Sequence, residues 1–361
     1  EHEHEHEQHE PKKHSEESVI RWDRIGGVNI RRAAVVAVLL EALREQRDVE
    51  IEFGKRLVEL VEGEDSVCAR FGDGSSALAS LVVAADGVHS TARGLILDAE
   101  YAKPRHTGFI SFGGIASLPG VQLPSYYAKE LVFTLGPRCQ LGFGRFGPEP
   151  SSCSSSSSSS SCSPSSTSLS ELGGEHVWMW WTHLRHDEEL SREQLEALPL
   201  RARCELLVED FTEPLRSAVL ESSEILRTQI YDVPCLPVWH RGRTVLLGDA
   251  AHAMSSAGGQ GCSMAFEDAC VLARLLDGLK LDGDTDSEQL ESALSRYSAV
   301  RKARVEPIIR QAQQNDARGY ARDGDAAADG WLALKMKSLF LWMMSGFIAR
   351  SLRKLVFADF V

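Results

Sequence analysis

The pattern of apolar and polar positions predicts two buried strands and a helix that together form a ligand-binding site. Residues 81–85 and 244–247 are short runs of apolar and β-branched side chains, and each run is followed by an aspartate and a glycine. Such runs are typical of strands buried on both faces of a sheet. Apolar residues at helical spacing follow in residues 265–276. A strand, a turn and a helix in this order predict an open α/β sheet that binds a ligand at its carboxyl edge.

Between these two runs, the pattern of apolar and polar positions changes and predicts an antiparallel sheet. Four segments, at residues 108–112, 131–135, 140–146 and 176–183, are rich in aromatic and β-branched residues. Glycines and prolines lie between them, which favours an antiparallel sheet. Side chains alternate across a strand, so about half of the aromatic residues are expected in the core. These aromatic residues are Phe143, Trp178, Trp180 and Trp181.

Helical patterns account for much of the remaining chain. Residues 28–43 combine alanine, leucine and valine at helical spacing, and further helical patterns cover about residues 188–220 and residues 288–314. Pro307 predicts a kink in the last of these helices. The apolar stretch at residues 331–350 is too short to span a bilayer. It is expected to pack against the other domains, and the alternative is peripheral membrane contact as an amphipathic helix.

The candidate chemistry lies after the second buried strand. Gly248 ends that strand, and Asp249 follows at the predicted carboxyl edge of the sheet. Three glycines, Gly258, Gly259 and Gly261, then remove side chains just before the helix. The free amides at a helix start can face an electron-rich ligand. The sequence therefore predicts a binding site at this turn.

The sequences Gly-Asp-Ala-Ala-His, Gly-Gly-Gln-Gly and Glu-Asp within residues 248–268 resemble the second flavin fingerprint of the class A flavoprotein monooxygenases. This is the para-hydroxybenzoate hydroxylase fold group, which includes salicylate hydroxylases and zeaxanthin epoxidase. The resemblance implies that Asp249 binds the ribityl chain of FAD and that the helix opening at Gly261 directs its positive end toward the flavin. The cofactor-binding residues implied in this segment are Gly248, Asp249, Gly259, Gln260 and Gly261.

The loop inside this fingerprint departs from the family. Ser255 and Ser256 stand where the family usually carries a proline, and Ser263 stands where an asparagine is common. Without the proline a loop has more backbone freedom, so a looser loop is expected. His252 has no second metal ligand or nucleophile at a usable spacing and is expected to be structural.

An upstream segment resembles another motif of the same family. Residues 81–93 match its Asp-Gly motif, which implies that Asp86 and Gly87 are associated with both FAD and NAD(P)H. The resemblance also implies that Arg93 ties down the following turn. Together with the downstream fingerprint, this motif makes the resemblance specific.

The amino-terminal part of the family's fold is represented only in part. In the family an arginine opens a helix and contacts FAD; Arg31 aligns best with it, and Arg32 is the alternative. Family members begin with a strand, a G-x-G-x-x-G turn and a helix that hold the FAD pyrophosphate. No such segment precedes the first family-like residue, near Trp22. The sequence therefore predicts weak FAD binding. A truncated chain, an incorrectly predicted gene and a natural paralogue that lost this unit are the open explanations.

The fold class implied by the resemblance is α/β. It has a Rossmann-like flavin domain that binds FAD and NAD(P) and is incomplete at its amino terminus, an inserted antiparallel β-sheet substrate domain, and carboxyl-terminal helices. The predicted parts are a disordered acidic and histidine-rich tail at residues 1–18, a discontinuous FAD-binding domain at residues 19–100 and 235–285, a substrate domain at residues 101–234 with a disordered serine-rich insertion at residues 151–170, and a helical region at residues 286–361.

Composition narrows the class of protein. A chain of 361 residues with 43% hydrophobic content can bury a sizeable core. The net charge of -13 argues against nucleic acid as a partner. The eight cysteines form no C-x-x-C pair or zinc-like group, so no metal site is predicted and free thiols are expected. An intracellular, cytoplasmic location is expected, with organellar targeting as the alternative.

The function implied by the resemblance is that of an FAD- and NAD(P)H-dependent monooxygenase. NAD(P)H would reduce FAD, molecular oxygen would form a flavin C4a-hydroperoxide, and an aromatic or other apolar small molecule would be hydroxylated or epoxidised. The sequence identifies no catalytic base. Two alternatives stay open: a truncated or degenerate, non-catalytic paralogue with weak or no FAD binding, and a flavin oxidase or reductase.

Overall fold

The computed structural model describes residues 20–21, 32–117, 131–135, 140–146, 177–211, 213–222, 224–256, 259–279 and 287–319. Its strands are β1 (Ile20–Arg21), β2 (Leu57–Glu62), β3 (Val67–Phe71), β4 (Ser76–Ala79), β5 (Val82–Ala84), β6 (Arg105–Ser117), β7 (Leu131–Leu135), β8 (Gln140–Phe146), β9 (Val177–Arg185), β10 (Ile225–Asp232), β11 (His240–Arg241) and β12 (Thr244–Leu246). Its α-helices are α1 (Arg32–Arg44), α2 (Thr91–Ile96), α3 (Ala99–Ala102), α4 (Arg192–Glu196), α5 (Leu200–Leu207), α6 (Leu215–Leu220), α7 (Asp249–His252), α8 (Gly261–Leu276) and α9 (Ser287–Gly319). The predictions for Arg31, for the serine-rich insertion and for residues 331–350 lie outside the described residues.

The largest sheet has six strands in the order β1-β7-β8-β9-β6-β10, and all neighbouring strands are antiparallel. Strands β6 to β9 fall on the four aromatic segments, so the predicted antiparallel sheet is confirmed. Residues 20–21, which the sequence assigns to the flavin domain, pair with Phe133 and Val132 of β7. The physical reason is that β7 would otherwise be an edge strand, whose backbone groups can pair with a short extended segment.

Helices α5 and α6 cover one face of this sheet. The core between them holds Phe112, Phe143, Trp178 and Trp180, each at most 4% exposed. Trp181 follows Trp180 directly in β9 and therefore lies on the opposite face. Of the four aromatic residues named in the sequence analysis, Trp181 is the one that is not part of this core.

The two buried runs form adjacent parallel strands. Strand β12 pairs in parallel with β5, with Leu246 beside Ala84, and β11 pairs antiparallel on its other side. The N–H of Leu247 continues the ladder by donating to the carbonyl of Ala84 at 3.0 Å. Since parallel strands end at the same edge of a sheet, the turns that follow β5 and β12 lie side by side.

Helices α8 and α9 pack against these strands. Helix α8 buries Met264, Asp268 and Leu272, which recur at four-residue spacing on one face. Helix α9 contributes Leu294 and Tyr297, both 0% exposed, to the same core. The predicted helix in this region is confirmed, and it continues past Pro307.

The amino-terminal described part carries an exposed apolar surface. Helix α1 consists largely of alanine, valine and leucine, yet none of its residues is buried. Strands β2, β3 and β4 form a separate antiparallel sheet that the sequence pattern does not predict. None of the described helices combines the length and the hydropathy that a membrane crossing requires.

Candidate functional site

A glycine and a buried carboxylate fix the turn after β12. Gly248 has a φ of +62°, a left-handed value that side chains disfavour. Its N–H donates to Oδ2 of Asp268 at 2.9 Å. Its carbonyl accepts from the N–H groups of Ala251 and His252, both at 2.9 Å. This turn presents Asp249, the first residue of α7, as an exposed side chain at the edge of the sheet.

Substitution of Gly248 by alanine is expected to lower the free energy of unfolding by about 1–3 kcal/mol. The new side chain would be strained at a φ of +62°, and its Cβ would lie 3.2 Å from Cβ of Ala265 in α8. A denaturant titration measures this loss. Gly259→Ala is the matched control, because Gly259 has the same φ but no atom of the described residues within 4 Å of an added Cβ. Equal losses in the two variants would contradict the packing part of this prediction.

Asp249 faces the amino terminus of α8. A Cβ placed on Gly261 would lie 4.0 Å from Oδ1 of Asp249, so the carboxylate and the first turn of α8 border the same space. Oε1 of Gln260, directly before the helix, is buried and has no hydrogen-bond partner among the described residues. Within the described part of the chain, no atom lies within 4 Å of the position that a Cβ on Gly259 would take. The turn therefore offers a carboxylate, an amide oxygen and the free N–H groups of a helix start to one ligand.

The Asp-Gly turn after β5 is organised by hydrogen bonds of its own. Asp86 accepts from the hydroxyl of Ser90 at 2.5 Å and from the N–H groups of Thr91 and Ala92 at 2.8 and 3.1 Å. These bonds satisfy the first amides of α2, which would otherwise lack partners. Gly87 has a φ of +81° in this turn. The structure thus gives Asp86 a capping role, and its contact with a cofactor stays a prediction.

Arg93 joins the two turns. Its side chain is fully buried, and burial lowers the pKa of its guanidinium. The guanidinium donates to the carbonyls of Val88, Tyr101 and Ala102 at 2.7, 3.1 and 3.3 Å. It also donates to the carbonyl of Ala250 in α7 at 2.9 Å. The predicted role of Arg93 in tying down the turn after β5 is confirmed, and the bond to Ala250 extends this role to the turn after β12.

A buried charged network supports the Asp249 turn from behind. Asp268 is 0% exposed, and its Oδ2 lies 2.6 Å from Nε2 of His252. Arg301 of α9 donates from Nε to Oδ1 of Asp268 at 2.6 Å and from Nη1 to Glu267 at 2.8 Å. The contact with Asp268 agrees with the structural role predicted for His252. Sequence reasoning misses Arg301, because no local pattern connects it to a residue 33 positions away.

The sheet face opposite α5 and α6 meets the loop that follows α7. Trp181 lies against Gly142 of β8, where an added Cβ would come within 2.4 Å of its ring. His183 lies two residues further along β9 and so shares this face. Its Nε2 is 2.8 Å from the hydroxyl of Ser256, and burial lowers its pKa to about 4, so the imidazole is neutral at pH 7. Sequence reasoning misses His183, although its alternation with Trp181 indicates the shared face.

The predicted site residues fall into two neighbouring groups. Gly248, Asp249, Gly259, Gln260 and Gly261 lie around the first turn of α8, and Asp86 and Gly87 lie at the end of the adjacent strand. Arg31 is outside the described residues, and the alternative, Arg32, is an exposed residue at the start of α1. Within the described ranges, no three His, Cys, Asp or Glu residues are grouped as a metal ion requires.

Comparison with known proteins gives matches in sequence. A family described as "FAD binding domain" matches residues 169–312. The aurachin C monooxygenase/isomerase of Stigmatella aurantiaca is 29% identical over 267 residues, which cover 73% of this chain and 57% of that protein. The 6-hydroxynicotinate 3-monooxygenase of Bordetella bronchiseptica is 26% identical over 279 residues, which cover 73% of this chain and 60% of that protein. The chain thus spans less than two thirds of the length of these two relatives.

Solved structures match in fold. HpxO of Klebsiella pneumoniae, complexed with FAD and uric acid, gives a TM-score of 0.61 at 22% identity, covering 85% of this chain and 68% of that one. A salicylate hydroxylase substrate complex gives a TM-score of 0.59 at 20% identity, covering 88% and 74%. Identities this low establish the fold alone. The predicted fold class, a flavin domain with an inserted antiparallel sheet, is confirmed.

Proposed function

We propose, on the premise that this chain is a relative of the class A FAD-dependent monooxygenases in both sequence and fold, that it forms the flavin and substrate domains of such an enzyme. The observation that carries the proposal is the position of Asp249. Its exposed carboxylate stands at the open end of β12 and borders the amino terminus of α8. A carboxylate beside a helix start matches a ligand that has both hydroxyl donors and an electron-rich edge.

The residues at this turn fit FAD. The ribityl hydroxyls would donate to Asp249, and the first amides of α8 would face the electron-rich edge of the flavin ring. A helix amino terminus supplies roughly half a positive charge there. Gln260 adds a buried oxygen that lacks a partner in the described part of the chain, and a donor on the ligand would satisfy it. These residues would hold FAD, which would supply the redox chemistry between NAD(P)H and molecular oxygen.

The substrate side is the sheet face that carries Trp181 and His183. The indole of Trp181 offers a flat apolar surface, and the buried imidazole of His183 beside it is bonded to Ser256 of the loop after α7. A surface of this kind suits a small aromatic or apolar substrate. The relative named for 6-hydroxynicotinate acts on such a molecule by its name, which supports the same class of substrate here.

The proposal predicts that the purified chain binds FAD. Excess FAD is added, free flavin is removed by gel filtration, and the visible spectrum is recorded. A protein-shifted flavin band is the expected result, and a fluorescence titration then gives the dissociation constant. A folded, monodisperse chain that shows no binding even in the titration would reject the proposal for this chain.

Activity is tested on the flavin-loaded protein. NAD(P)H oxidation is followed with a panel of small aromatic compounds, and products are identified by mass spectrometry. The expected result is a product that has gained one oxygen atom from molecular oxygen. Hydrogen peroxide without an oxygenated product would instead favour the oxidase alternative.

A further inference from the structure

The loop at residues 253–256, between α7 and the glycines before α8, is held from three sides. The N–H of Val233, just after β10, donates to the carbonyl of Ala253 at 2.8 Å. The hydroxyl of Ser255 donates to Oδ1 of Asp316 in α9 at 2.9 Å, and both of these residues are buried. The hydroxyl of Ser256 lies 2.8 Å from the ring Nε2 on β9 described above. Two adjacent serines therefore bind two separate elements of the fold.

We propose that Ser255 and Ser256 clamp this loop between α9 and β9, and that Asp316 and His183 are positioning residues for the turn that presents Asp249 and α8. The sequence predicts a looser loop here, because a proline is lost. The structure instead shows each serine with a side-chain partner, and two hydrogen bonds can restrain a loop that lacks proline's fixed φ. The clamp itself is a property of the chain without cofactor, whereas its consequence for flavin binding rests on the proposed function.

The clamp has two arms, the Ser255–Asp316 bond and the Ser256–His183 bond, and they differ in their response to pH. Asp316 faces Asp232, at the end of β10, which pairs with Arg105 of β6 at 2.9 Å and accepts from Gln313 of α9 at 2.8 Å. Burial raises the pKa of Asp316 to about 6, and Asp232 adds to this rise while the Ser255 hydroxyl opposes it. On the other arm, burial holds the pKa of the imidazole near 4. Between pH 5 and pH 7, only the Asp316 arm changes its charge.

The sign of the pH effect follows from linkage. When α9 is docked on the loop, Asp316 has a pKa of about 6, above the ordinary carboxyl value of 3.8. The docked state therefore binds the proton more tightly than a state in which Asp316 is solvated. Its contribution to docking is present at low pH and is lost as the pH rises through 6. For these pKa values, docking weakens by up to about tenfold between pH 5 and pH 7.

Amide hydrogen exchange of the full chain without FAD tests the clamp. Protection of residues 249–256 and 259–263 is measured at pH 5, 6 and 7 and corrected for the intrinsic pH dependence of exchange. In the unsubstituted chain, protection is expected to fall several-fold from pH 5 to pH 7. Asp316→Asn, which keeps an acceptor oxygen, should remove this pH dependence. Ser255→Ala should lower protection and keep the dependence, because burial and Asp232, not the serine hydroxyl, raise the pKa of Asp316. Ser256→Ala should lower protection at every pH and keep the dependence. The exposed Ser292 of α9 provides the control, Ser292→Ala, which should change neither.

Two results would overturn the proposal: unchanged protection in both loop variants, or a pH dependence that persists in the Asp316→Asn protein. FAD affinity gives a second measurement. Ser255→Ala and Ser256→Ala should each weaken binding several-fold, and His183→Gln, which keeps a side-chain amide, should bind more tightly than His183→Ala. If the unsubstituted chain binds no FAD, the proposed function fails, and the exchange data still decide whether the clamp exists.

Discussion

Replacement of Asp268 by alanine is expected to lower the free energy of unfolding by about 3–5 kcal/mol. The substitution leaves the guanidinium of Arg301, 3% exposed, without the carboxylate that it contacts at 2.6 Å. It also removes the acceptor of the Gly248 N–H and the partner of the His252 ring. Glu267 still contacts the guanidinium at 2.8 Å, but a buried charge that loses one of its two carboxylate partners cannot replace it by hydration, and for that reason the loss is large. Urea titration followed by circular dichroism measures it.

Helix α9 provides a matched pair of arginines to test this argument. Arg301→Met should destabilise the chain to a similar extent as the loss of Asp268, because it leaves a buried carboxylate. Arg310 pairs with Glu306 at 2.7 Å but is 61% exposed, so Arg310→Met should change the free energy of unfolding by less than about 1 kcal/mol. Equal effects of Arg301→Met and Arg310→Met would contradict the assignment of the large stability loss to a buried ion pair. The double variant that lacks both Asp268 and Arg301 should be more stable than the sum of the single losses predicts, by about 2 kcal/mol.

The same network explains why stability and cofactor binding are coupled in this fold. Asp268 fixes the N–H of Gly248 and anchors α9 through one carboxylate. Arg93 fixes α7 from the other side through the carbonyl of Ala250. The turn that presents Asp249 is thus set by side chains from three helices. A substitution of any of these side chains should shift the position of the turn that binds a ligand, although the residues that contact the ligand stay the same.

The elements with strong local patterns could be predicted from the sequence. The runs at residues 81–85 and 244–247 carry few polar positions, and β9 is rich in aromatic and β-branched side chains, so their types follow from composition. The small sheet β2-β3-β4 could not be predicted in this way. In β2 no residue is fully buried, and its half-buried positions recur every third residue, which hides the two-residue period of a strand.

In the candidate site too, residues with a local sequence pattern could be predicted, and residues that depend on distant contacts could not. Asp249 and Gly261 are found because an acid and a glycine between a strand and a helix indicate backbone that binds a ligand. Arg301 and Asp316 belong to α9, and the residues that they contact are 33 and 61 positions away. Their role depends on how a long helix is placed against the sheet, and local sequence contains no information on that placement.

Replacement of Asp249 by alanine is expected to weaken FAD binding on the order of 100-fold, because the carboxylate would accept hydroxyl hydrogen bonds worth about 3 kcal/mol together. Fluorescence titration of FAD measures the change. Asp249→Asn keeps an acceptor oxygen without the charge and should bind with intermediate affinity. The residue is exposed, so the free energy of unfolding should change by less than about 1 kcal/mol.

Asp277, an exposed aspartate at the opposite end of α8, provides the control. Asp277→Ala should bind FAD as the unsubstituted chain does, because its side chain lies a full helix length from the proposed site. If Asp249→Ala binds FAD with unchanged affinity, the cofactor does not use this carboxylate. FAD binding at the proposed site would then depend on the amides of α8 and on Gln260. A loss of affinity in both variants would instead indicate an indirect effect of the substitutions on the fold, because removing a negative charge should by itself favour an anionic ligand.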